Sequence, residues 1–339
     1  MSFKIAIDAM GGDFAPQNVV YGAVQAAREF NLNLILVGRR DDILMELSKH
    51  DTAGLNIEID NASEVIGMEE QPTLALRQKK DSSIRVGARL VREGKAMGLV
   101  SAGHTGAVLA ASKILIGVIP GVDRPALAAA VPNRRGTSIW IDVGANIDCK
   151  PLHLKQFAVM GHLYAREIMR IPNPRIGLLS IGEEDIKGNE KTKEVFKVLK
   201  EANLNFIGNV EGSAVFNGEV DVIVCDGFVG NISLKVAESV LETMVYLLKE
   251  EISKTYSRQF GYFFLRPTFR EFKKRIDYAE YGGAPLLGTK GCVIICHGKS
   301  SAKAIRNALK VARDFIQNNV GERIYQEIKN LAEAEERIL

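Results

Sequence analysis

The chain predicts an α/β protein: a three-layer α-β-α sandwich in which helices cover both faces of a mostly parallel sheet, with a long helical pair protruding around 232–280. Short apolar runs alternate with longer stretches of helical periodicity along most of its length, the pattern of parallel strands joined by crossover helices. The apolar runs end in glycine with a small polar or acidic residue just where a helix begins, at Asp8-Ala9-Met10-Gly11-Gly12-Asp13, Ser101-Ala102-Gly103-His104-Thr105-Gly106 and Asp226-Gly227-Phe228-Val229-Gly230-Asn231. A hydrophobic share of 46% with 25% charged residues in 339 describes a globular chain that buries a large core. We expect one catalytic unit over 1–339, built as one lobe or two fused ones.

Element by element, strand Phe3–Ile7 leads to helix Asn18–Phe30, strand Leu34–Val37 to helix Asp41–Lys49, and strand Ile57–Ile59 to helices Thr73–Lys80 and Ser82–Glu93. Strand Met97–Val100 is followed by helix Thr105–Gly117. The middle differs, because Ala126–Val131 and Ser138–Val143 flank the turn Asn133-Arg134-Arg135-Gly136, which is short enough for an antiparallel hairpin. After helix Leu154–Arg170 the rhythm resumes through Ile176–Ser180, Glu190–Ala202, Phe206–Ile207 and Val220–Cys225, and it closes with Val293–Cys296 and helix Ser301–Asn318. In the helix Ile232–Tyr256, Val236, Val240, Met244, Leu248 and Ile252 recur every fourth residue, which makes an apolar stripe for the sheet or for a partner subunit.

The formal charge of +3 gives no support for a nucleic-acid binder, and no partner of that kind is expected. Cys149, Cys225, Cys292 and Cys296 lack the spacing of a zinc site or a disulfide framework, so buried reduced thiols and a cytoplasmic setting are expected. No apolar stretch reaches the roughly 20 residues a spanning helix needs, so any membrane contact is superficial. The segment Arg258–Arg275 concentrates aromatics and cations, among them Phe263, Phe264, Leu265, Arg266, Arg270, Lys273 and Lys274. That mixture suits an anionic membrane surface, an acidic protein, or a local core with solvated cations.

The glycine turns are suited to anions, because glycine lets a ligand approach the amides and a helix N-terminus offers unpaired N–H groups with a partial positive charge. Neither Gly-x-x-x-x-Gly-Lys-Ser/Thr nor Gly-x-Gly-x-x-Gly after the first strand is present, so ATP and NAD lose their usual motifs. A small anion remains, held by Ser101, Gly103, Thr105 and Gly106; the plainer alternative is a tight turn with Thr105 capping its helix. Asp142-Val143-Gly144-Ala145-Asn146 sets two short polar side chains beyond a strand, and Ser180–Asn189 does so with Lys187 among acids. Glu183, Glu184 and Asp185 are adjacent and cannot all face one ion, so they read as a solvated turn and no metal is expected. His104 lies in one glycine turn and His297 in another, followed by Gly298, Lys299 and Ser300; His50, His153 and His162 read as surface or satisfied core residues.

Taken in order, these strings resemble one family, the bacterial acyl-acyl carrier protein:phosphate acyltransferases. The resemblance runs from Ile5 to about Asn318 and rests on Ile7–Asp13, Ser101-Ala102-Gly103, Thr105-Gly106-Ala107, Asp123-Arg124-Pro125-Ala126, Asp142–Asn146, Lys187-Gly188-Asn189-Glu190, Asp226-Gly227-Phe228 with Gly230-Asn231, and Tyr281-Gly282-Gly283-Ala284. It implies a fold similar to isocitrate and isopropylmalate dehydrogenases and to phosphotransacetylases, and a homodimer acting peripherally at the cytoplasmic membrane surface. It implies transfer of a fatty acyl group from acyl carrier protein to inorganic phosphate, without a cofactor, to give acyl phosphate for a membrane glycerol-phosphate acyltransferase.

Phosphate is itself the nucleophile in such a reaction, so the protein supplies position and donors. We expect Lys187, Asn231 and His104 to act in catalysis. Substrate binding is expected of Asp8, Gly11, Gly12, Asp13, Ser101, Gly103, Thr105, Gly106, Asp142, Asn146, Asp226, Gly227, Gly230, His297, Gly298 and Ser300, all around one pocket. Two departures concern the site: the family usually has asparagine where this chain has His104, and threonine where it has Val229. The alternatives are a metal- and NAD-dependent β-decarboxylating dehydrogenase of similar fold and a non-catalytic membrane-associated scaffold.

Overall fold

In the computed structural model, residues 3–276 and 280–336 are described, so 277–279 of the expected 232–280 segment lie outside the described residues. The first half runs β1 (Lys4–Asp8), α1 (Gln17–Phe30), β2 (Asn33–Gly38), α2 (Arg40–Leu47), β3 (Ile57–Asn61), α3 (Pro72–Gln78), α4 (Ser83–Arg92), β4 (Gly98–Ser101) and α5 (Thr105–Ala111). A π-helical turn, Ser112–Ile116, extends α5. The middle and second half run β5 (Ala126–Asn133), β6 (Gly136–Ile141), α6 (Pro151–Glu167), β7 (Ile176–Leu179), α7 (Glu190–Lys200), β8 (Phe206–Val210), α8 (Ala214–Asn217), β9 (Val222–Val224), α9 (Gly227–Ser253) and α10 (Tyr256–Ile276). The chain then returns through β10 (Ala284–Leu287), β11 (Cys292–Ile295), α11 (Ala302–Gln317) and α12 (Val320–Glu336).

Every strand joins one sheet, in the order β3-β2-β1-β4-β11-β10-β5-β6-β9-β7-β8. Strand alternation sends its residues to two separate cores. Ile5, Ile7, Leu34 and Leu36 face a core shared with Val19, Ile43, Phe157, Val195, Ile305 and Ile324, from α1, α2, α6, α7, α11 and α12. Ala6, Ile35 and Val37 point the other way, to Leu76, Ile84, Val108 and Val215 of α3, α4, α5 and α8. Both faces are thus covered by helices, the arrangement a parallel sheet needs. Helices α1 and α11 approach closely because position 22 is glycine: a Cβ there would lie 2.5 Å from the Ala302 carbonyl oxygen and 2.8 Å from Ile305 Cβ.

The expected hairpin is present, with Asn133 opposite Gly136 and Ala128 opposite Ile141. Asn133 Oδ1 closes its turn by accepting the Arg135 N–H at 2.8 Å. This hairpin, together with β10, changes the sheet. Strand β11 runs parallel to β4, but β10 opposes β11, β5 opposes β10, and β6 opposes β5. Three reversals leave β6, β9, β7 and β8, which are parallel to one another, pointing opposite to β3, β2, β1, β4 and β11.

Beyond this sandwich the chain puts out two long helices. Of the 27 residues of α9, only Gly227 and Gly230 are buried, and of the 21 of α10 none is. The apolar stripe expected to meet the sheet or a partner therefore does not pack on the sheet. The structure also departs from the sequence pattern: α9 begins at Gly227 instead of Ile232, and α8, β10 and α12 are elements that the pattern does not announce.

Candidate active site

The residues expected around one pocket form two groups. The first lies at the carboxyl ends of β1, β4 and β11. Asp8, fully buried, accepts the Ser101 hydroxyl at 2.6 Å and the Met10 amide at 3.2 Å. Burial raises its pKa above the usual carboxylate value, against the pull of the Ser101 and Ser83 hydroxyls and the Met10 and Gly11 amides. Ser101 Oγ in turn accepts the Gly103 amide at 3.1 Å. Asp13 donates its amide to the Gly298 carbonyl at 2.8 Å, and Asn18 donates to that of Ser300 at 3.2 Å. Gly11 and Gly12 are required by crowding, since a Cβ at 11 would strike the Asp8 carboxylate and one at 12 would meet Gly298 O at 2.9 Å. His104, not Thr105, caps α5: its Nδ1 accepts the Gly106 amide at 3.1 Å, which places the proton of the neutral ring on Nε2. His297 Nδ1 accepts the Lys299 amide in the same way at 3.1 Å.

The second group lies at the carboxyl ends of β6, β9 and β7. The carboxylate of Asp142 is fully buried and accepts the amides of Leu127, Gly144, Ala145 and Asn146 and the Asn146 side chain, at 2.8–3.3 Å. Burial raises its pKa, opposed by the Ala145 amide, the Asn146 side chain and the Leu127 and Gly144 amides. Asn146 accepts the Gly227 amide on its carbonyl at 2.8 Å and donates its side chain to Pro125 O at 2.8 Å, tying the loop to the start of α9. Asp226 caps α9 by accepting the Val229 amide at 2.9 Å. Gly230 is packed against the Asp142 carbonyl and Cys225 Sγ, with no room for a side chain. Asn231 is placed over Gly144, where an added Cβ would lie 3.5 Å from its side chain. Lys187, in the loop after β7, is 3.9 Å from Glu184 Oε1 and half exposed.

No single pocket unites the groups within one chain. Between β11 and β6, the nearest strands of the two groups, lie β10 and β5, so these strands are about 14 Å apart at 4.8 Å per strand, and their carboxyl ends face opposite edges of the sheet. The expectation that Asn231 and Lys187 would face an anion held at Ser101–Gly106 is therefore corrected for the single chain. The cause is the antiparallel insertion of β10 and β5, and β10 is the strand that the sequence reading lacked. Many of the amides offered to an anion, among them those of Gly103, Gly106, Lys299 and Gly227, are committed to local bonds.

Sequence reasoning overlooked neighbours of the second group. Arg124 donates to the Asp148 carbonyl at 2.8 Å, and Lys191 pairs with the Asp148 carboxylate at 2.9 Å, which lowers the Asp148 pKa. Buried His153 accepts the Lys150 amide on Nδ1 and meets Asp123 Oδ2 through Nε2 at 2.5 Å, so it is a satisfied core residue as expected. Ile147, Ile181 and Ile186 stand exposed in the same loops; their signal was isoleucine between polar residues outside any strand.

Residues 3–323 match the model of a family described as fatty acid synthesis protein. Over 328 residues the chain is 52% identical to a phosphate acyltransferase of Pelotomaculum thermopropionicum, covering 97% of this chain and 96% of that relative. A phosphate acyltransferase of Geobacter sulfurreducens is 50% identical over 326 residues, 96% and 94% of the two chains. The chain belongs to the phosphate acyltransferase family. Solved structures of similar fold include a phosphotransacetylase from Streptococcus pyogenes, with a TM-score of 0.65 at 20% identity over 93% of this chain and 94% of that one. The EutD phosphotransacetylase from Staphylococcus aureus has a TM-score of 0.59 at 18% identity, over 92% and 94%.

Proposed function

We propose that this protein transfers a fatty acyl group from the thioester of acyl carrier protein to inorganic phosphate, giving acyl phosphate for phospholipid synthesis. The observation that carries the proposal is the family: relatives about half identical over nearly the whole chain bear the name phosphate acyltransferase. Within the α/β class, we read the fold as related to isocitrate and isopropylmalate dehydrogenases as well as to phosphotransacetylases.

In the reaction a phosphate oxygen attacks the thioester carbon, a tetrahedral oxyanion forms, and the C–S bond breaks to release the carrier thiolate, which takes up a proton. Nucleophile and carbonyl must meet at about 3–3.5 Å, so the reacting centre belongs to one group. We place it at the second. Asn231 has a side chain with no hydrogen-bond partner among the described residues and donates to the oxyanion, while Lys187 offsets growing charge. Asp142 and Asp226 hold the loop and the helix start that shape this rim, and Gly227 and Gly230 allow them to touch. The first group, with Asp8, Ser101 and the histidine-capped turns, is assigned to a second anion-binding rim.

The exposed apolar face of α9 supports a homodimer. Phe263, Phe264, Leu265, Arg266, Arg270, Lys273 and Lys274 on α10 support contact with an acidic carrier protein or with an anionic membrane, from which the product reaches a glycerol-phosphate acyltransferase. The reaction is tested by incubating the protein with acyl carrier thioester. Free carrier thiol is expected to appear only when phosphate is added, and release that ignores phosphate would defeat the proposal.

A further inference from the structure

Among the described residues, the three most exposed large aliphatic side chains are Ile181, Ile186 and Ile147, at 81%, 78% and 73%. None belongs to the protruding helices. Ile147 lies in the loop after β6, and Ile181 and Ile186 lie in the loop after β7. Between those two strands runs β9, which leads into α9, where Phe228, Val229 and Ile232 are exposed as well. These side chains therefore cluster at one edge of the sheet, around the group that contains Asn231 and Lys187.

The loops that carry them are fixed. Asn146 O is bound to the Gly227 amide at 2.8 Å, and Asp148 is held by Arg124 and Lys191. Glu184 O accepts the Lys187 amide and the Asn209 side chain, each at 2.9 Å. The backbone thus presents the isoleucines to solvent instead of folding them in, although burying each side chain fully is worth roughly 1.5–3 kcal/mol. Apolar surface gathered in this way marks a binding site.

We propose that Ile147, Ile181 and Ile186, with Phe228 and Ile232, form an apolar collar that receives the alkyl chain of a long-chain acyl thioester and selects its length. This rests on the acyl-transfer reading above. Charge decides the occupant. The charges around the isoleucines are paired with one another: Asp185 with Lys200 at 3.1 Å, Glu184 with Lys187 at 3.9 Å and Asp148 with Lys191 at 2.9 Å. The rim therefore offers no excess of cations to hold an acidic protein or an anionic lipid surface, whereas a neutral hydrocarbon chain needs none. A chain lying in the collar brings its thioester toward Asn231.

The test uses the full-length protein and a triple variant, Ile147→Ser with Ile181→Ser and Ile186→Ser, all three at exposed positions. Unreactive palmitoyl and butyryl amide analogues of the pantetheine thioester are titrated against both. Palmitoyl binding is expected to weaken by at least about tenfold, with butyryl binding changed less than about twofold. Equal weakening of both analogues, no weakening, or no palmitoyl binding by the parent protein would overturn the collar. So would a palmitoyl loss accompanied by a drop in sedimentation mass, since a second copy of the chain would then be what covers these residues. Chain-selective binding without phosphate-dependent thiol release would leave the collar standing and remove the acyl-transfer reading.

Discussion

Ser101 joins the carboxylate of Asp8 to the turn that starts α5, and it does so where no water competes. With the folded pKa of Asp8 raised by burial, the stability contributed by its neutral form is complete below the unfolded value and is lost as pH rises through the folded one. The Ser101 hydroxyl favours the charged form and limits that loss. Ser101→Ala should therefore cost about 1–3 kcal/mol near pH 7, with a smaller deficit near pH 4. Urea unfolding at several pH values measures it, and a deficit constant across the range would mean that Asp8 never ionises in the folded state. The position of Asp8, Ser101 and Asp142 at strand ends is legible in the sequence, but their burial and bonding are not. Each was read as facing a ligand, whereas each is buried and bonded to the backbone around it. A short polar residue after a strand looks the same in sequence whether it meets a substrate or fastens its own loop.

At the scale of elements, α9 raises the sharpest question, because 27 residues, or about 40 Å of helix at 1.5 Å per residue, leave the sandwich with almost nothing buried. Val236, Val240, Met244 and Leu248 form an exposed row at every fourth position. In the homodimer proposed above, a second copy would cover this row with a matching one. Val240→Asp combined with Met244→Asp should turn a dimer into a monomer of 37.2 kDa in sedimentation equilibrium, with the helical circular dichroism kept. A parent protein that already sediments as a monomer would remove this role from α9. At the far end, charge reversal of Lys273 and Lys274 separates the two surfaces proposed for α10: carrier binding in solution is lost if the tip docks the carrier, and only liposome binding is lost if it meets lipid. The stripe and the aromatic, basic tip were both legible, as were the hairpin and the alternation of strand and helix. Strand β10 was not, because Gly282, Gly283 and Pro285 mark it as a turn. The start of α9 was misplaced for a related reason, since Asp226-Gly227 was read as a ligand turn and in fact caps the helix.

The whole molecule turns on the reversal inside its sheet, which sends two sets of glycine turns to opposite edges and leaves one phosphate with two rims to choose from. The second rim has Lys187 and the uncommitted side chain of Asn231; the first has the half-buried His104, whose Nδ1 is taken by the Gly106 amide, and the helix start that it caps. A ligand bound only to the folded state stabilises it by about 2.7 kcal/mol at one hundred times its dissociation constant, which for a chain of this size raises the melting temperature by roughly 4 °C. We expect phosphate to produce such a rise in the parent protein and in His104→Ala, and to produce little in Lys187→Ala with Asn231→Ala. Differential scanning calorimetry with and without phosphate reads the shift directly. The opposite outcome, with the rise lost in His104→Ala and kept in the double variant, would move phosphate to the first rim. Because one chain holds the rims at least three strand spacings apart and at opposite edges of the sheet, the reaction would then need a second copy to bring its Asn231 and Lys187 to that phosphate.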